Sequence, residues 1–151
     1  CAAEAACLSA YNNARALAPT ATALPSSDLA GLVLAPGVYK FPTSAATNSA
    51  TLTLNGATNT KGQFIFLIDT TFTTAANSKV VLINGAQACN VYFIVGSSAT
   101  IGGATTMNGN LLAYTSVGVS NAASNKGTLC ALNGAVTLIN NALTAQTVCT
   151  S

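Results

Sequence analysis

The sequence predicts a mostly β protein, a parallel β-solenoid with one α-helix beside it. Three observations lead there. An apolar strand, a small-residue corner and a second alternating strand recur through Phe64–Gly85, Val91–Gly109, Leu111–Gly127 and Leu129–Asn141. A unit of about 20 residues that cannot bury its own apolar face has to stack on near copies of itself. The apolar fraction is 50%, yet runs such as FIFLI (Phe64–Ile68) and VYFIV (Val91–Val95) suit sheet strands and are far too short to span a bilayer. Finally, a single segment, residues 2–17, reads as helix.

That helix is rich in Ala, with Leu8 and Tyr11 on one face and Pro19 just past its end. A loop rich in Pro, Ser and Thr follows up to Asp28. In LAPGVYKF (Leu34–Phe41) a Pro-Gly turn separates two short strands. From Thr51 onward the chain alternates short strands and corners. Asn55-Gly56, Asn84-Gly85, Asn108-Gly109 and Asn133-Gly134 could each close a β-hairpin, which would build an antiparallel sandwich. The spacing of the repeats favours coils, with strands of successive coils stacked in parallel about 4.8 Å apart. At 151 residues the whole chain, 1–151, is expected to be one domain, its solenoid spanning about 28–143.

Composition removes most chemistry. Charged residues make up 5% of the chain, and Arg15, Lys40, Lys61, Lys79 and Lys126 are scattered. A net charge of +2 therefore makes no basic patch, and nucleic-acid binding is not expected. There is no His, so Ser-His-Asp and most acid–base catalysis lack their usual proton carrier. The acids Glu4, Asp28 and Asp69 lie far apart in sequence, which argues against a catalytic carboxylate pair. Gly56–Gly62 (GATNTKG) fails the spacing of a phosphate-cradling loop and reads as a solvated turn. No catalytic residue, metal site or cofactor is expected. Lys79 and Lys126 are read as serving solubility and edge protection, and Tyr39, Tyr92 and Tyr114 as core or rim aromatics.

The outward-facing residues are the unusual feature. Strand alternation turns Thr51 and Thr53 outward around inward leucines. It likewise exposes Thr71, Thr73 and Ala75 around Phe72, and Ser98 and Thr100 around Ala99. Further on it exposes Ser116, Gly118 and Ser120 around Val117 and Val119, then Ala135 and Thr137 around Val136. Stacked, these residues make a flat field of methyls and hydroxyls almost without charge. Thr suits strands in general, which explains one Thr-rich strand better than a repeated Thr-rich face.

Three stretches resemble a known family: DLAGLVLAPGVYKF (Asp28–Phe41), residues 64–103 (FIFLIDTTFTTAANSKVVLINGAQACNVYFIVGSSATIGG) and LNGAVTLINN (Leu132–Asn141). They are similar to ice-binding proteins that pair a discontinuous, right-handed β-solenoid of triangular section with one long helix. AYNNARAL (Ala10–Leu17) resembles the end of that helix. The resemblance implies that one flat face binds ice and that no metal or cofactor takes part. It also implies secretion, with a role in antifreeze action, in inhibiting recrystallisation or in anchoring cells to ice. Thr71, Thr73, Ala75, Ser98, Thr100, Ser116, Gly118, Ser120, Ala135 and Thr137 are then the expected ice-binding face.

Family members carry a further coil before the helix, packed beside the last coil of the chain. This sequence opens on Cys1 inside the helix, so it reads as processed or incomplete, or else the coil comes from another subunit or is dispensable. That departure supports an alternative: a structural subunit of an extracellular filament or surface layer, self-associating through open solenoid ends. Cysteines near both ends suggest an oxidising, extracellular setting. Cys89 and Cys130 are expected to be reduced and buried. Any disulfide is expected to involve Cys1, Cys7 or Cys149, and the odd count leaves one thiol free or shared with another chain.

Overall fold

The computed structural model describes residues 2–144, with side chains from Ala5 onward. Glu4, Cys1 and Cys149 therefore fall outside the described side chains. Every strand pairing is parallel, and the strands sort into three sheets that close a solenoid of triangular section. The first sheet holds Thr22–Ala23, Gly37–Lys40, Phe64–Ile68, Val91–Val95, Asn110–Ala113 and Leu129–Ala131. The second holds Ala46–Asn48, Phe72–Thr74, Ala99–Ile101, Val117–Val119 and Val136–Leu138. The third runs from Val33–Leu34 through Thr51–Asn55, Lys79–Ile83, Thr106–Asn108 and Ser124–Lys126 to Ala142–Thr144.

Each coil visits the three sheets in turn, so sequence neighbours turn corners while residues 17 to 28 apart lie side by side. The Asn-Gly pairs close no hairpins. Asn84 and Gly85 instead take left-handed φ of 53° and 82° at a coil corner, a conformation that Gly and Asn tolerate and β-branched residues do not.

The interior follows from alternation. Phe64, Phe66, Phe72 and Phe93 are fully buried, and Phe93 stacks on Phe66 at 4.9 Å and on Phe72 at 5.2 Å. Tyr39 extends this stack, 5.7 Å from Phe66, as a partly buried aromatic packed against the core. At the corner between the second and third sheets the buried Thr105 hydroxyl meets Thr74 at 3.2 Å and Ser78 at 3.3 Å. Each hydroxyl thus finds a partner in an interior that water does not reach.

Helix α1 (Ala2–Arg15) covers the outer face of the first sheet. Its buried stripe is Cys7, Ala10, Tyr11 and Ala14, set against Ile65, Leu67, Ile94 and Leu112. The expected end at Leu17 shortens to Arg15, with a 3-10 turn at Ala18–Thr20 beyond it. Leu8 does not share the buried face of Tyr11 and is 44% exposed. Small alanines let the helix approach on the Cys7–Ala14 side, which rotates Leu8 out. Arg15 locks the helix end: it donates to the Ile68 carbonyl and, from Nε, to Tyr11 Oη at 3.3 Å, and lies 3.7 Å from Asp69 Oδ1.

The cysteines correct one expectation. Cys130 is buried but not reduced; it forms a disulfide with Cys7, their Cα atoms 6.5 Å apart. Leu129 and Ala131 pack inward, so Cys130 points outward, under the helix, where Cys7 meets it. Cys89 is not reduced either, standing as a disulfide cysteine, and it is only half-buried.

Candidate functional site

The three outer faces differ sharply. The first lies under the helix. The third carries Lys79 and Lys126, exposed at rungs shared with Thr51, Thr106 and Asn108. Thr51 and Thr53 do turn outward, but on this third sheet, away from the other outward threonines. Among the described residues nothing covers the second face, and none of its outward strand residues is charged.

On the second sheet each three-residue strand turns one side chain out and two in, a pattern explicit at Phe72–Thr74 and Ala99–Ile101. Register aligns these outward residues into one column: Thr47 beside Thr73, Thr73 beside Thr100, Thr100 beside Gly118, Gly118 beside Thr137. The same offsets set two flanking columns. One runs Ala45, Thr71, Ser98, Ser116 and Ala135, and Ser98 Oγ meets Ser116 Oγ at 2.9 Å within it. The other runs Ser49, Ala75, Gly102, Ser120 and Ile139. All ten residues singled out in the sequence fall on this one face. Thr47, at the head of the central column, was missed, although SAATNS (Ser44–Ser49) repeats the strand alternation of TTFTTA (Thr70–Ala75) and carried the signal.

Asp28 bounds the face. It forms an isolated parallel bridge to Thr47, one rung above it. Its carboxylate accepts hydrogen bonds from Ala30 N at 3.0 Å, from Ser49 N at 2.9 Å and from Ser49 Oγ. Desolvation pushes its pKa up, but the Ser49 hydroxyl and the two backbone donors together outweigh it, leaving the pKa below the ordinary value. A depressed folded pKa contributes stability above the unfolded pKa of about 4 and loses it as pH falls through the folded value. An acid titration of unfolding is expected to lose its lowest-pH component, below about pH 4, in Asp28→Asn. A profile identical to wild type below that pH would remove this assignment.

Elsewhere the surface holds little chemistry. Two apolar-lined grooves of about 310 and 340 Å³ flank the helix, sharing Ala10 and Tyr92, and neither gathers titratable groups. Among the described residues no three His, Cys, Asp or Glu side chains come together. No described helix is long and apolar enough to cross a membrane.

The model of the family described as ice-binding-like matches residues 1–144. The chain belongs to that family. An ice-binding protein of Nostoc sp. (strain HG1) is 44% identical over 133 residues, which is 87% of this chain and 48% of that relative. The crystal structure of an ice-binding protein from an Antarctic biological consortium superposes with a TM-score of 0.87 at 35% identity, covering 93% of this chain and 64% of that one. The ice-binding protein 1 domain of Shewanella frigidimarina gives 0.77 at 38% identity, over 85% of this chain and 55% of that one. This ice-binding-like chain thus spans about half the length of the Nostoc relative. Its three-sheet solenoid and flanking helix are the family's shared scaffold.

Proposed function

We propose that the chain binds ice through the outer face of the second sheet, and acts as a secreted antifreeze, recrystallisation-inhibiting or ice-adhesion module. The observation that carries this is the register-aligned central column of Thr47, Thr73, Thr100, Gly118 and Thr137, on a face that no described residue covers and whose strands turn no charge outward. Two O–H···O hydrogen bonds of about 2.75 Å at a tetrahedral angle place next-nearest oxygens about 4.5 Å apart. Stacked strands repeat every 4.8 Å or so, so successive rungs advance by nearly one lattice step. Threonine offers a methyl to be caged and a hydroxyl to bond, while an ammonium or carboxylate would orient water against the lattice. A rigid face also loses little entropy when it adsorbs.

On this reading the event is adsorption, with no covalent bond made or broken, and it calls for neither catalysis nor a cofactor. Family membership and the Cys7–Cys130 disulfide both support an extracellular setting. Freezing a dilute solution slowly onto a cold surface is the direct test. The protein is expected to concentrate in the ice while a charged protein of equal size stays in the liquid. Equal exclusion of both would overturn the reading.

A specific observation also favours end-to-end association with a second copy. In the last described coil Val136 and Leu138 are 38% and 46% exposed, whereas their rung partners Val117 and Val119 are 1% and 3% exposed. Leu143 is 46% exposed as well. Val136–Leu138 is the end strand of its sheet among the described residues, and apolar side chains beside such an edge attract another strand. Sedimentation is expected to show mass rising with concentration. A monodisperse monomer at high concentration removes this second reading and leaves ice binding untouched.

A further inference from the structure

Resting on the second sheet as the ice-contacting face, we propose that Gly118 divides that face. The working block is then the three rungs centred on Thr47, Thr73 and Thr100, and Thr137 stands apart from it. Register puts Gly118 between Thr100 and Thr137, so the central column loses a side chain there. The fold does not require glycine at this position. Gly31, Gly85, Gly109 and Gly127 take positive φ, which favours glycine. Of the others, Gly118 is the one where an added Cβ would meet nothing within 4 Å. Glycine inside a strand weakens it and leaves no side chain to pack.

The recess interrupts the central column, where an ice layer held by Thr100 meets no further side chain until Thr137, two strand spacings of about 4.8 Å away, and only Ser116 and Ser120 flank the gap. At the opposite end Asp28 closes the block with a charge one rung above Thr47. Thr47 is therefore the first working rung, and Gly118 sets where the block stops.

The test measures ice partitioning, with the unfolding midpoint followed in parallel. Gly118→Thr joins the two parts and is expected to lower the protein concentration needed for half-maximal partitioning about fourfold, the factor that one methyl-sized apolar contact provides. Its unfolding midpoint is expected to hold or rise, because threonine suits a strand better than glycine. Thr47→Tyr is expected to cost more than about tenfold, and Thr137→Tyr about twofold or less. In the Gly118→Thr background Thr137→Tyr should become as damaging as Thr47→Tyr, a coupling that only a joined column creates. The inference falls if a folded Gly118→Thr partitions no better than an ice-binding wild type, or if Thr137→Tyr alone matches Thr47→Tyr. Should Gly118→Thr not fold, the comparison of Thr47→Tyr with Thr137→Tyr decides. A wild type excluded from ice overturns the functional reading itself, and this inference with it.

Discussion

Replacing Thr100 by Tyr is expected to abolish ice shaping and leave the fold intact. Thr100 stands in the central column between Thr73 and Gly118. Its side chain is exposed, so a larger one meets solvent rather than core. A tyrosine ring at that position projects well beyond the threonine plane and holds an ice front away from the neighbouring rungs. Losing three or four methyl-sized contacts at about 0.8 kcal/mol each lowers adsorption on the order of 100-fold. Stability should hardly change, because surface substitutions stay within about 0.5 kcal/mol. That corresponds to about 1–2 °C in a chain of this size. The check is crystal morphology in a supercooled droplet, beside a thermal melt of the same sample. Crystals with wild-type facets at equal concentration would show that the second sheet is not the contacting face. A large fall in melting temperature would instead expose a structural role for Thr100.

The second large effect concerns the Cys7–Cys130 disulfide. It ties the helix to the last coil across 123 residues of sequence. The chain-entropy estimate for so long a loop is about 5 kcal/mol, an upper value because folded-state strain and residual unfolded structure reduce it. Replacing both cysteines by alanine is expected to cost 2–4 kcal/mol or so and to lower the melting temperature by about 5–15 °C. The loss should be local first. Amide exchange is expected to speed up in Leu129–Ala131 and Val136–Leu138 before the coils built on Phe64–Ile68 and Val91–Val95 respond, because the latter bury the phenylalanine stack. Thr137 lies in the loosened coil. Ice binding should therefore decline slightly while the central rungs hold. Uniform exchange along the chain, or a melt unchanged from wild type, would contradict this role for the disulfide.

Much of this molecule was legible in its sequence because a solenoid is locally written. Each coil repeats the apolar strand, small corner and alternating strand of its neighbour, so parallel stacking follows from the need to bury one face. Alternation then separates Phe72 from Thr73 and Ala99 from Thr100 with no tertiary information. The charge count, the missing His and the family resemblance narrowed the chemistry to a surface. Thr47 was harder to read because its run to Thr51 is two residues shorter than that from Thr73 to Lys79, and its coil pairs with the irregular segment around Asp28.

What the sequence could not assign is which of the three sides each strand joins. Alternation has period two on every side of the triangle, so Thr51 and Thr73 look equivalent in the chain. They lie on different sheets because the number of residues between corners, set by stacking on the coils above and below, decides sheet membership. Cys130 is a second case. Its flanking residues suggest a small buried hydrophobe, and only the docking of the helix over the first sheet brings Cys7 close enough to bond it. Gly118 is a third, since only the stacked register places its missing side chain between Thr100 and Thr137. The sequence determined the repeat and the orientation of each residue, which are local consequences of backbone geometry and burial. The tertiary structure decided neighbours across coils, because contacts between residues 17 or more apart depend on how every intervening corner turns.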